Sequence, residues 1–376
     1  MTTLMGATFY NCSSLRNIVI PENITQICDS AFGNCTSLRK IRISKNVTDI
    51  DATAFYYCSN LETVEIDKEN ENFVYENGIV LNKEKTRMIC ILPIAINGNE
   101  FTVPSTITEL NNSNLSGYEQ ITKLNLPASL SLIDTNVFLF MNVTNITINS
   151  ENKTYMATDE AIYSKDKSAI VYYFARKENV TLEEGITQIE NNCFITNTVM
   201  KKITLPNTLK SIGAQAFWKC ENLQELNINE NITNLDPLFA YQVDNLKVTI
   251  DEKNPNYTIE NNVIFNKDKT KLITLIGNPE EFTVPNSIKE IGDNAFTAKG
   301  LKKIIIPEGV SKIGMSFQYC YNLEKIEFPS SVKEISDICF NDSNNLSEII
   351  INNKKGTIAG EPWGCSYGEK AIKYIY

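Results

Sequence analysis

Ten cysteines carry most of the latent chemistry of this chain. Cys12, Cys35 and Cys58 stand 23 residues apart, and Cys220 and Cys320 hold the same place, three residues after a phenylalanine. A thiol serves as nucleophile, metal ligand or half of a disulfide, and each use needs a suitable neighbour. The chain contains no histidine, which removes Cys-His and Ser-His-Asp nucleophiles and His-ligated zinc or iron. Zinc held by thiolates is disfavoured by the absence of any CxxC pair. Disulfides along the series are disfavoured too, because stacked parallel Cβ vectors lie about 4.8 Å apart where a bridge needs about 3.8 Å. The expected state is a free, buried thiol acting as a small hydrophobe. Adjacent carboxylates occur at Glu183-Glu184 and Glu280-Glu281. Neighbours on a strand point to opposite faces, so neither pair converges on a substrate. No catalytic residue, cofactor or metal is expected.

Other residues suit recognition rather than reaction. Thr102, Asn125, Thr147, Thr181, Thr204, Asn227, Thr249 and Thr283 occupy one recurring slot, bounded by Val19, Arg42 and Glu65 on one side and by Ile305, Glu327 and Ile350 on the other. Such a row could hydrogen-bond a glycan or an extended peptide. Equally, β-propensity alone places Thr on a solvated strand. Aromatic residues outside the repeating core offer a second candidate surface: Tyr56, Tyr57, Tyr172, Tyr173, Trp218, Tyr319 and Tyr321. Exposed Tyr and Trp are frequent contact residues, although single exposed aromatics are common.

The elements that position these groups come from a repeat of about 23 residues. L-x-x-[IV]-x-I opens at Leu15, Leu38 and Leu61, and returns from Ile121, Val143, Met200, Leu223, Leu301, Leu323 and Leu346. Within Leu38–Ile43, Ile41 and Ile43 point inward and Arg42 outward, the alternation of a half-buried strand. Pro21, Pro127, Pro206, Pro307 and Pro329 end their strands, having no N–H to give a ladder. A second apolar pair follows (Val47 and Ile50, Leu209 and Ile212), then a small residue and phenylalanine: Ala31-Phe32, Ala54-Phe55, Ala216-Phe217, Ala295-Phe296 and Cys339-Phe340. Stacked coils about 4.8 Å apart superpose these rings as an aromatic spine. Gly213, Gly292 and Gly314 follow the second isoleucine, where a tight bend is expected. Each unit is too small to bury its apolar face alone, so the chain reads as a β-rich solenoid of about 14 coils.

Three related segments interrupt the rhythm, near 69–100, 151–179 and 253–281. Each holds an aromatic (Phe73, Tyr155, Tyr257) and then two apolar runs flanking a turn of the type N-K-D-K-T, which reads as a β-hairpin. That turn lacks the D-x-[DN]-x-[DN]-G pattern of a calcium loop and carries too many lysines. After Ile351 the period is lost, and residues 352–376 read as a cap, with Trp363 sealing the last coil and Ala371–Tyr376 alternating like an edge strand. The solenoid is therefore assigned to 1–351.

A net charge of −10 argues against nucleic acid, which requires a concentrated basic face. The clusters Arg39-Lys40-Arg42, Lys201-Lys202 and Lys302-Lys303 read as solvated charge. No run approaches the 18 apolar residues of a membrane span. MTTLMGAT lacks the features of a secretory signal, and Thr8–Cys12 already matches the second half of a repeat. The expectation is a boundary cut within a larger secreted protein. Asn-x-Ser/Thr triplets at Asn23, Asn46, Asn142, Asn179 and Asn231 matter only for an exported eukaryotic chain.

The combination L-x-x-I-x-I-P-x-x-[IV]-x-x-I-x-x-x-A-F-x-x-C, clearest over Leu15–Cys58, Met200–Cys220 and Leu301–Phe340, resembles the BspA-like or Treponema pallidum-type leucine-rich repeats. The NKDKT insertions and the ending Gly356–Gly364 are similar to bacterial members. The resemblance implies a right-handed superhelix, placement on the cell surface or outside the cell, and an adhesin-like role in binding protein or glycan partners on host or neighbouring cells. A structural spacer without a ligand is the competing expectation. No site residue travels with the family.

Overall fold

The computed structural model describes residues 2–111, 115, 118–139 and 141–375. The chain forms a β-solenoid of about 16 turns, in two compact units, Met1–Ala175 and Arg176–Tyr376. One coil shows how both are built. Lys40–Ile43 buries Ile41 and Ile43 and exposes Lys40 and Arg42. It pairs in parallel with Asn17–Val19 and Thr63–Ile66, so that Ile41 faces Ile18 and Val64. On the other side of the coil, Asp49–Ile50 pairs with Gln26–Ile27, which pairs with Thr3–Leu4.

Phenylalanine turns the corner. Phe9, Phe32 and Phe55 stack with ring centroids 5.2 and 5.6 Å apart and planes within 11°. Phe194 stacks on Phe217 at 5.2 Å, and Phe296, Phe317 and Phe340 stack at 5.2 and 5.8 Å. Each buried ring contributes roughly 2–3 kcal/mol of apolar transfer. Main-chain bonds between coils continue through the corner: Phe32 N–H donates to the Ala54 carbonyl at 2.8 Å and Asn34 N–H to Tyr56 at 2.7 Å. Keeping that ladder requires left-handed backbone two residues after the ring, as at Asn34 (φ 58°), Tyr57 (56°), Lys219 (56°) and Tyr319 (57°).

The cysteine slot does more than fill space. The thiols of Cys35, Cys58, Cys220 and Cys320 donate to the carbonyls of Phe9, Phe32, Phe194 and Phe296 at 3.0–3.1 Å. Ser343 takes the same slot and donates to the Phe317 carbonyl at 2.5 Å. All ten cysteines are free.

Gly213 opens the turn expected there, its carbonyl accepting from Ala216 N–H at 3.4 Å, but neither it nor Gly314 adopts left-handed backbone. Their φ angles are ordinary, and a Cβ at Gly213 would lie 2.5 Å from Asn191 Oδ1 and 2.7 Å from its backbone nitrogen. Close approach of the preceding coil demands the missing side chain. The space admits Asn191 Oδ1, which accepts from Ala214 N–H at 2.8 Å.

The insertions have three strands each rather than two. In the first, Phe73–Glu76, Ile79–Asn82 and Met88–Ile91 run antiparallel, with Asn77 and Gly78 left-handed in the first turn. The second comprises Tyr155–Ala157, Ala161–Ser164 and Ala169–Tyr173, and the third Tyr257–Glu260, Val263–Asn266 and Lys271–Leu275. The aromatic residue opens a strand of its own. At the root of each insertion lies a buried asparagine, Asn70, Asn152 or Asn254. Asn152 donates to the Pro127 and Leu130 carbonyls at 3.0 and 2.8 Å and accepts from Thr154 and Tyr155 N–H at 2.8 and 2.7 Å. Asn254 repeats this with Asn229, Ile232, Asn256 and Tyr257.

The coil count exceeds the expected 14 or so, and stacking continues at two places where the sequence rhythm is lost. Lys271–Leu275, the last strand of the third insertion, pairs in parallel with Glu290–Ile291 and so serves as a rung. At the chain end the repeat survives: Ile349 faces Ile372 and Ile351 faces Tyr374 in parallel register. Trp363 is fully buried there, its indole N–H donating to the Ala359 carbonyl at 2.7 Å. Tyr376 lies outside the described residues.

Candidate binding site

Groups capable of acid, metal or thiol chemistry come first, and the coil disperses them. Glu184 accepts from the backbone N–H of Asn207 and Thr208 at 2.9 and 3.2 Å, which holds its carboxyl below the usual range. Glu280 pairs with Lys302 at 2.8 Å. Neither acid converges with its sequence neighbour. Burial pushes the thiols of Cys58, Cys220, Cys320 and Cys339 up to about 12, far from thiolate reactivity. Among the described residues no three potential ligands gather into a metal site, and no helix is long and apolar enough to cross a membrane. In the insertion turn, Asn266 Oδ1 accepts from Thr270 and Lys271 N–H at 2.9 and 2.7 Å, closing the loop on itself.

The basic clusters are tied to acids one rung away. Arg39 meets Glu62 at 2.8 Å, Lys40 meets Glu65 at 2.5 Å and Arg42 meets Asp67 at 3.2 Å. Lys201 and Lys302 pair likewise with Glu178 and Glu280.

The Thr/Asn slot is distributed over several sheets. In the first unit, Thr102, Asn125 and Thr147 are register partners. They bond mostly to one another: Asn125 Nδ2 donates to Glu100 at 2.6 Å and to Thr102 at 3.1 Å, and Thr147 Oγ1 donates to Asn125 at 2.6 Å. In the second unit, Thr181 faces Thr204 and Asn227 faces Thr249 within one four-stranded parallel sheet. All four are exposed. Their one mutual side-chain bond, Thr249 to Asn227, spans 3.4 Å. Thr283 belongs to a separate two-stranded sheet, facing Ile305. The single unbroken row expected from the sequence falls into three sheets, with the second insertion entering the chain between Thr147 and Thr181 and the third between Thr249 and Thr283.

Of the aromatic candidates, Tyr57, Tyr319 and Tyr321 are exposed and Tyr56 and Trp218 half-buried. Trp218 donates from its indole to Gln242 at 2.9 Å and lies 5.9 Å from the Tyr241 ring, while the Lys219 ammonium stands 5.4 Å from its centroid. Tyr319 and Tyr321 sit 6.3 Å apart. Tyr172 and Tyr173 are core residues, contrary to expectation. The insertion strand carrying them is buried on both faces, and Tyr172 stacks on Phe138 at 4.0 Å.

One concavity went unread in the sequence. A groove of about 320 Å3 opens beside Tyr56 and Tyr57, walled by Leu92, Pro93, Tyr118 and Glu119. Its origin is a break in the aromatic spine. Leu115 occupies the ring position beyond the first insertion, and Tyr118 the cysteine slot, where its hydroxyl donates to the Ile91 carbonyl at 2.5 Å. A tyrosine standing three residues before Ile121, where the preceding repeats have Cys35 before Leu38 and Cys58 before Leu61, was the available signal.

Comparison with known proteins gives one family. Its model, a BspA type leucine rich repeat region (6 copies), matches residues 2–77, 95–170, 167–282 and 276–362. Similar solved structures include a leucine-rich repeat protein from Eubacterium ventriosum, at 20% identity over 74% of this chain and 66% of that one, with TM-score 0.42. The pneumococcal vaccine antigen PcpA is 20% identical over 81% of this chain and 94% of its own, TM-score 0.42. A leucine rich cell surface protein from Faecalibacterium prausnitzii is 18% identical over 96% and 88%, TM-score 0.36. Among curated proteins no match is found.

Proposed function

The chain belongs to the BspA-type leucine-rich repeat family, and from that premise we propose that it is a non-enzymatic binding module, displayed outside the cell, that engages a protein or glycan partner through an exposed sheet row. The observation that supports this most is the contrast between the two Thr/Asn rows. Asn125 in the first unit has its amide nitrogen and oxygen engaged by neighbours. Thr181 and Thr204 make no side-chain hydrogen bond among the described residues, and lie in register on adjacent strands. Hydroxyls about 4.8 Å apart on a parallel sheet present donors and acceptors at a spacing that suits an extended peptide or successive sugar hydroxyls. A rigid sheet holds them in place before binding, which lowers the entropy lost on association.

The test is a panel of glycans and extracellular proteins probed with the purified chain, followed by Thr204→Arg and Thr102→Arg. A ligand whose affinity falls at least tenfold with Thr204→Arg and is unchanged by Thr102→Arg supports the reading. No ligand in either panel overturns it in favour of a spacer that holds another domain away from the cell, and equal loss from both variants overturns the assignment of binding to the row of Thr181 and Thr204.

A further inference from the structure

We propose that the groove between Tyr57 and Glu119 receives a basic side chain, lysine or arginine, from a partner polypeptide. Three observations carry this. The first is charge. Among the described residues, Glu119 is the one formally charged group lining the groove, no lysine or arginine lines it, and Glu119 pairs with no cation. The rest of the wall near the mouth is phenolic: Tyr56 and Tyr57 stand with ring centroids 4.1 Å apart and planes tilted 53°, and Tyr118 forms the floor. A tilted pair of π-faces beside a carboxylate attracts a cation from two directions, through the ring quadrupole and through Coulomb attraction.

The second observation is exposure. The ladder between coils imposes left-handed backbone at this corner position, φ 56° at Tyr57 as at Lys219 and Tyr319, and Tyr57 lines the groove with 50% of its surface in solvent, so its phenol is free to meet a partner. The third is construction. Ile91, Leu92 and Pro93, at and just beyond the end of the last strand of the first insertion, line the same groove, so an aliphatic stem can follow the charge along an apolar wall.

This inference rests on the binding-module reading but names a different surface, so the two fail separately: a partner lost with Thr204→Arg says nothing of this groove. The probes are labelled pentapeptides with lysine, arginine or norleucine flanked by glycines, titrated against the full chain by fluorescence polarisation. The lysine or arginine peptide is expected to bind at least tenfold more tightly than the norleucine peptide. Tyr57→Asn leaves net charge unchanged and is expected to weaken the basic peptide at least tenfold with the thermal midpoint held or raised. Glu119→Gln, at an exposed position, is expected to weaken the basic peptide at least threefold and leave the norleucine peptide unaffected; this variant decides the matter if Tyr57→Asn disturbs folding. Equal binding of basic and norleucine peptides, no binding of either basic peptide, or basic-peptide affinity unchanged in Glu119→Gln overturns the proposal.

Discussion

Asparagine 152 shows how much a single buried polar group can hold. Its amide joins two carbonyls of the preceding coil to two N–H groups of its own turn, with no surface exposed. Asn152→Ala strands several of those groups out of reach of water, at about 1–3 kcal/mol each when unsatisfied, so a total loss of about 3 kcal/mol or more is expected. Urea unfolding of the variant measures it, and a change below about 1 kcal/mol would show that the network is dispensable. Asn254→Ala is expected to behave alike, since its four bonds are the same. The residues were legible in part. N-x-[NT]-[FY] recurs at Asn70, Asn152 and Asn254, yet in a polar stretch an asparagine reads as turn, and only burial reveals it as a bracket. The thiols were more transparent, because the repeat register places Cys35, Cys58, Cys220 and Cys320 inside; Cys12 shares that register but is exposed, contrary to the buried state expected of it. At pH 8 a thiol reagent is expected to modify Cys12 rapidly, Cys28 slowly, and the eight buried cysteines only as the chain unfolds. Rapid labelling of Cys220 in the native protein would contradict the packing.

At the scale of elements, the strands were legible because apolar alternation and terminating prolines report directly on which face is buried. The insertions were legible as antiparallel but one strand short. Their first strand is short and half-buried through most of its length, as in Tyr155–Ala157 and Tyr257–Glu260, so it shows no inward–outward alternation for periodicity to read. The corners were the least legible, since their left-handed residues include lysine, threonine, glutamine and tyrosine rather than glycine. The ladder between coils imposes that geometry on whatever residue is present. Insertion turns do the same at Lys85, Lys167 and Lys269, with φ 58°, 61° and 54°. Lys85 and Lys269 gain ion pairs with Glu76 and Glu260. Lys167 is exposed, so Lys167→Gly is expected to raise stability by up to about 1 kcal/mol, the strain of a left-handed L-residue less the entropy of glycine. Thermal unfolding reads the sign, and a lowered midpoint would mean the turn carries no strain.

For the whole molecule, the pattern of ionisable groups determines how stability changes with pH. The surface ion pairs are exposed and contribute little individually. The buried thiols act at alkaline pH. Cys58, Cys220, Cys320 and Cys339 have values pushed from 9.0 up to about 12 by burial, and burial also raises the Tyr118 phenol. Between pH 9 and 12 the unfolded chain releases these protons and the folded chain keeps them, so the folded state binds more protons and loses stability as pH rises. Lys299 opposes this. It takes a cysteine-like place three residues after Phe296 and donates to the Gly277 carbonyl at 2.7 Å, and burial lowers its value from 10.5 to about 8. Between pH 8 and 10.5 the unfolded chain holds that proton and the folded chain has lost it, so Lys299 alone makes stability rise with pH. Cys90 is pushed up to about 12 in the same way, and one lysine against five such thiols leaves a net decline above pH 9. A urea midpoint measured from pH 7 to 10.5 is therefore expected to stay level to about pH 8.5 and then fall. In Lys299→Met the opposing contribution is absent, and the fall is expected to begin earlier and run more steeply. Identical profiles for the two proteins would show that Lys299 keeps its proton in the fold, and a midpoint that climbs through pH 10 would show that the cysteine slots are not sealed from solvent.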